Sequence, residues 1–205
     1  MIKEENKFNF TEEQKEVLIG ILLGDGHLEQ MSEVTYRLKI EQSAEKSEYI
    51  NHLYEIFKDC CSREPILKIK PNGNKSLFFQ TKTTISLNFY AKQFYKDKIK
   101  VIPSLLTRWL TPRVLAYWYM DDGSLKSKES KGTILNTQGF TKTEVEFLIE
   151  LFKTKFNLEA KIRSQKDGYQ IYISGHSYEL LKSLIYEYLL DSMKYKFPLE
   201  RKTKI

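Results

Sequence analysis

The chain carries one structural unit twice. Asp25 and Asp122 lie 97 residues apart, Gln42 and Gln138 lie 96 apart, and Gly73–Gly168 and Pro103–Pro198 are each separated by 95. An acid, a strand end, a turn glycine and a proline recurring at a near-constant offset mark a duplicated supersecondary unit. A chain of this kind folds as two related halves, 1–109 and 110–205, with enough residues for real cores.

Each half opens on an apolar helical run that ends in an aspartate and a glycine, LIGILLGDG from Leu18 to Gly26 and LAYWYMDDG from Leu115 to Gly123. The final glycines suit the left-handed position that closes a helix. A helix C-terminus carries partial negative charge, so Asp25 and Asp122 stand where carboxylates are disfavoured. Their matched placement points to a site that requires acids there.

The first helix has a capping box, Thr11 with Gln14, and the second starts on Thr111-Pro112. A strand (35–42), a helix (47–58) and a hairpin of strands 66–70 and 76–82 around Asn72-Gly73 follow in the first half. Helical segments then run to Pro103 and Trp109. The second half repeats this with a strand at 133–138 and a helix from Thr141 capped by Glu144. Strands 160–165 and 169–174 then flank Asp167-Gly168, and a last helix spans roughly 176–190. The fold class is α+β, two pseudo-symmetric αββαββα halves with antiparallel sheets.

On their nine-residue motifs the two helices resemble the LAGLIDADG homing endonucleases, in the double-motif, single-chain form. The first copy is close, with Gly20, Gly24 and Gly26; the second departs at Tyr117 and Asp121, where small residues would ease helix approach. The register agreement extends the resemblance over about residues 10–200. It implies two saddle-shaped sheets straddling duplex DNA, with the paired motif helices between them.

Helices covering one sheet face leave the other open. Alternation assigns that face Arg37, Lys39, Glu41, Lys68, Lys70, Gln80 and Lys82 in the first half, and Lys161, Arg163, Gln165, Gln170, Tyr172 and Ser174 in the second. Arg, Lys and Gln are the usual readers of base edges in the major groove.

Close packing of the motif helices would set Asp25 beside Asp122, and two adjacent carboxylates need a cation. Magnesium, with manganese as a substitute, suits one or two carboxylates plus a phosphate. Gly24 and Asp121, immediately before the acids, complete the candidate metal set, although Asp121 and His27 also read as structural residues. The family has a basic residue near the scissile phosphate, which implies Lys100 and Lys196, with Lys98 and Lys194 as rivals. Gln42 and Gln138, matched at strand ends, are candidates to orient water or phosphate.

The resemblance implies a monomeric, magnesium-dependent enzyme cutting both strands of double-stranded DNA and leaving short 3′ overhangs. The alternative is a maturase that binds its host intron RNA. A DNA-binding regulator on the same fold is the third reading, and retention of both acids disfavours it. The net charge of +6 permits a nucleic-acid partner without demanding one. No apolar run reaches membrane-spanning length, and MIKEENKFNF lacks a signal-peptide core. The adjacent Cys60 and Cys61 fit reduced thiols in an intracellular compartment. A bias to Lys, Ile, Asn and Tyr fits an AT-rich genome, hence a mitochondrion or chloroplast, or a bacterial cytoplasm.

Overall fold

The computed structural model describes residues 7–198; the end of the basic C-terminal tail lies outside the described residues. Contacts divide the chain into two units, 1–99 and 100–205. The division falls ten residues before the expected boundary. The reason is visible at Ile102, whose N–H donates to the Glu144 carboxylate of the second unit.

The first unit runs α1 (Glu12–Leu23), β1 (His27–Gln30), β2 (Tyr36–Ser43), α2 (Ser47–Phe57), β3 (Ile66–Ile69), β4 (Lys75–Gln80) and α3 (Asn88–Phe94). Its antiparallel sheet has the order β1-β2-β4-β3. The expected capping box starts α1, with Thr11 and Gln14 each satisfying the other's backbone N–H. Alternation along β2 sends Leu38 and Ile40 into the core, where α2 packs on β2 and β4 through Ile50, Leu53 and Phe57. Gly73 turns the β3–β4 hairpin at φ +81°.

The stretch expected to be helical up to Pro103 contains a small hairpin instead, β5 (Tyr95–Lys96) and β6 (Ile99–Lys100). Asp97 and Lys98 take positive φ at its tip, which a helix does not allow. The short α4 (Leu106–Trp109) follows.

The second unit repeats the order with α5 (Pro112–Asp122), β7 (Gly123–Leu125), β8 (Thr133–Leu135), α6 (Lys142–Phe156), β9 (Ala160–Gln165), β10 (Gly168–Ile173) and α7 (Tyr178–Ile185). Its sheet order, β7-β8-β10-β9, is that of the first unit. Two expected elements are shorter. The strand at 133–138 stops at Leu135; beyond it Asn136 still donates its N–H to the Asp122 carbonyl, while Thr137 bonds the Tyr169 carbonyl through its side-chain hydroxyl. The helix expected at 176–190 is α-helical only over Tyr178–Ile185, with 3₁₀ turns on either side. The strands β1 and β7, directly after the motif glycines, are the pieces whose residues the sequence pattern leaves unplaced.

Neither motif glycine is left-handed. The positive-φ glycines among the described residues are Gly73 and Gly168. What Gly26 and Gly123 provide is space. A Cβ on Gly26 would sit 2.8 Å from the Ile21 carbonyl oxygen, and one on Gly123 only 2.4 Å from that of Tyr119. Tyr119 cannot yield, being fully buried with its hydroxyl bonded to the Lys196 carbonyl. Gly123→Ala should therefore cost ~3 kcal/mol in thermal or urea unfolding. Gly139→Ala, where an added Cβ meets nothing within 4 Å, should be close to neutral.

Cys60 and Cys61 are buried free thiols, and burial pushes their pKa values up to about 11 and about 12. They are protonated at neutral pH and poor nucleophiles.

Candidate functional site

The first motif helix delivers Asp25 to an exposed position just past its end. The Ile21 carbonyl accepts from both Gly24 and Gly26, which closes the helix tightly around the acid. Gln42 has the core-facing parity of Leu38 and Ile40, is buried, and donates its Nε2 to Asp25 Oδ2. Its Oε1 accepts from Lys46 Nζ at 3.0 Å, which fixes the direction of the amide. Asp25, Glu41, Gln42, Lys70 and Lys75 line part of an open recess of about 780 Å³.

The second acid is held differently. Asp122 is half-buried, and the indole N–H of the fully buried Trp118, one turn earlier, donates to its Oδ2 at 3.1 Å. Its backbone carbonyl accepts twice from Asn136, from the main-chain N–H at 3.0 Å and from Nδ2 at 2.8 Å. Gln138, expected to match Gln42, does not fill that place. Since β8 ends at Leu135, Gln138 falls in the following turn, with its carbonyl beneath Gly168. Counting registers from His27↔Lys39 and Gly123↔Leu135, the position equivalent to Gln42 is Thr137, and the one equivalent to Asn136 is Glu41. Asn136 is the residue sequence reading missed. Its signal is an amide directly after the short buried strand Thr133–Leu135.

The lysine candidates also separate. Lys196 Nζ donates to the carbonyls of Met120 (2.5 Å) and Asp121 (2.7 Å), so it caps the C-terminus of α5 beside Asp122. A cation there meets the negative end of the helix dipole. Its rival Lys194 pairs with Asp191 and lies over the Tyr186 ring. Asp121 is buried, with its carbonyl taken by Lys196. Lys100 is half-buried at the end of β6, while Lys98 is exposed at the hairpin tip. His27 lies edge-on to the Tyr95 ring, with Nδ1 3.2 Å from the hydroxyl.

Cross-strand pairing checks the open faces. In the first sheet Lys39↔Gln80 and Glu41↔Phe78 share the face with Arg37 and Lys68. Arg37 Nε is paired to Glu29 at 2.5 Å, and this guanidinium holds the Glu29 carboxyl below its usual range. The Ser76 hydroxyl, 2.7 Å from Glu41, lowers that carboxyl too, and Lys70 Nζ lies 3.7 Å away. Lys82 falls off this face, because β4 ends at Gln80 and the Lys82 N–H bonds the Cys60 carbonyl. Apolar Phe78 and Ile66, paired across β4 and β3, interrupt the polar surface.

In the second sheet Gln170↔Arg163 and Tyr172↔Lys161 pair on the open face, and Gln165 lies exposed at the end of the same row. Tyr172 is flanked by Lys161 and by Lys126, whose ammonium groups lie 5.7 and 5.1 Å from the ring centre. Lys126 was not among the sequence candidates; it follows β7 directly. Ser174 is a structural cap, since β10 ends at Ile173 and its hydroxyl accepts the His176 N–H.

The sequence signature of the LAGLIDADG DNA endonuclease family matches residues 15–181, most of the chain. The chain belongs to the LAGLIDADG DNA endonuclease family. It is 36% identical to a probable intron-encoded endonuclease of Wickerhamomyces canadensis, over 89% of this chain and 83% of that one. It is 32% identical to the cytochrome b mRNA maturase bI2 of Saccharomyces cerevisiae, over 88% of this chain and 46% of that longer protein. Among solved structures, the homing endonuclease I-WcaI bound to its DNA recognition sequence superposes with a TM-score of 0.86 at 32% identity, over 95% of this chain and 90% of that one. The LAGLIDADG fold expected from the two motifs is thus the fold observed.

Proposed function

We propose that this protein is a site-specific homing endonuclease that makes a magnesium-dependent double-strand break in a long DNA target, leaving short 3′ overhangs. The observation that carries this reading is that both motif helices end in an aspartate held by its own half, Asp25 by Gln42 and Asp122 by Asn136 and Trp118. Likeness to the I-WcaI–DNA complex over nearly the whole chain supports the DNA partner. Binding alone has no need of two oriented carboxylates at helix ends, where the dipole disfavours them.

Within its own half, each acid fits a hard divalent cation. Asp25 is exposed and Asp122 half-exposed, each offers carboxylate oxygen, and the Gly24 carbonyl adjoins the first acid. Magnesium takes such oxygens together with water and phosphate, and manganese substitutes for it. Bound there, it would activate water and stabilise the leaving 3′ oxygen. The protein's own groups orient the acids, and Lys196 and Lys100 supply positive charge near the phosphate. Both halves being in one chain, the enzyme acts as a monomer, in a mitochondrion, a chloroplast or a bacterial cytoplasm.

The open faces read the target. Arg163 and Arg37 are suited to guanine O6 and N7, a contact worth ~1–3 kcal/mol of discrimination. Arg163→Ala should relax preference at one or two adjacent base pairs of one half-site, and Arg37→Ala in the other. The first effect should be larger, because Arg37 is partly satisfied by Glu29. Profiling cleavage of every single-base variant of the target checks this. Uniform weakening, with a salt slope lower by about one, would mark phosphate contacts instead.

Similarity to the bI2 maturase favours a second reading, binding of host intron RNA. Digestion of a random-site plasmid library with magnesium, followed by sequencing of cut ends, tests the nuclease. Rescue of splicing of the host intron without any plasmid cutting would select the maturase.

A further inference from the structure

A row of polar groups crosses the second sheet and ends at the catalytic candidate. Arg163 on β9 is the Cα partner of Gln170 on β10. The ladder Tyr172↔Ile134, Ile171↔Leu135 places the next residue, Asn136, opposite Gln170, although β8 has ended. The two side chains complete that pairing, Gln170 Nε2 donating to Asn136 Oδ1 at 2.7 Å. On its other side Asn136 donates from Nδ2 and from its main chain to the Asp122 carbonyl.

The direction of this chain is fixed. A backbone carbonyl only accepts, so Asn136 must present Nδ2 to Asp122 and Oδ1 to Gln170, which must therefore donate. Gln170 Oε1 is buried with no hydrogen-bond partner among the described residues. Leaving a buried acceptor bare is unfavourable, and an apolar residue of the same shape would avoid it. The glutamine is thus explained by its donor, and a buried Oε1 is poorly placed to read a base. In the first half the equivalent row is Glu41, Phe78 and Ile66, and the apolar pair breaks it.

We propose that Gln170 is a positioning residue for Asp122, acting through Asn136, and not a reader of base edges. Its amide tethers the end of α5 to β10 in the second half alone. This proposal rests on the reading of Asp122 as a strand-cleaving acid.

Gln170→Met keeps the shape and removes the donor. It is expected to slow cleavage of one strand about three- to tenfold, the worth of one neutral hydrogen bond. Nicked circles should then accumulate on a supercoiled target, and half-saturation should need more magnesium. Binding in calcium and the single-base preference profile should stay as in the wild type. Asn136→Ala should show the same strand bias, and the double variant should be no slower than Asn136→Ala, since the effect passes through Asn136. Relaxed base preference with both strands slowed alike would overturn the proposal and return Gln170 to base reading. Wild-type cutting by Gln170→Met beside an inactive Asp122→Asn would sink the tether but not the active site. An Asp122→Asn variant that still cuts both strands would sink the site itself.

Discussion

Asp25→Asn and Asp122→Asn are each expected to abolish double-strand cleavage while leaving DNA binding nearly intact. Replacing a carboxylate by an amide keeps the shape, so the Gln42 and Trp118 contacts lose little geometry. What is lost, on the proposed reading, is the anionic oxygen that would be offered to a cation. Activation of water and stabilisation of the leaving oxygen are worth several kcal/mol, so the rate should fall by roughly 10³-fold or more. Binding should hold, or tighten slightly, because a negative charge beside phosphate is removed. Plasmid cleavage in magnesium and gel-shift binding in calcium separate the two quantities. A double variant that cuts at the wild-type rate would place the active site elsewhere.

Lys196→Met should have the second-largest effect on cleavage, and it should also destabilise the fold. Nζ bonds the Met120 and Asp121 carbonyls, and the chain is anchored at the same residue by Tyr119, whose hydroxyl donates to the Lys196 carbonyl. Burial pushes the Tyr119 phenol far above its usual range, so this donor stays protonated. Loss of the ammonium leaves the carboxyl end of α5 without its charged donor, at a cost of ~2 kcal/mol in urea unfolding. Cleavage of one strand should slow more than the other, and nicked circles should accumulate. Lys194→Met, which breaks a pair with an exposed aspartate, should change neither quantity much. Equal slowing of both strands by Lys196→Met would make this lysine a general DNA contact.

Much of the fold was legible because it is written in short-range chemistry. The Thr11 and Thr141 capping boxes, Pro112 at the start of α5 and the hairpin glycines Gly73 and Gly168 each express a preference of a few neighbouring residues. Alternation in β2 and β9 alone is enough to set Arg37 and Arg163 on the open faces. Strand ends were less legible. Lys82 and Ser174 have the right parity, but parity means nothing once the ladder stops at Gln80 and Ile173.

By itself the sequence determined the duplication, the αββαββα order and the identity of the two acids, since repeat, period and motif all reside in the order of residues. Only the tertiary structure decided which side chains hold those acids. The repeat offset drifts from 97 at the aspartates to 95 at the hairpins, because the turn region joining the first two strands is two residues shorter in the second half. A slip of one residue along a strand turns every side chain to the other face. An offset of 96 therefore led to Gln138, whereas the ladder brings Asn136 to Asp122 and, through it, Gln170.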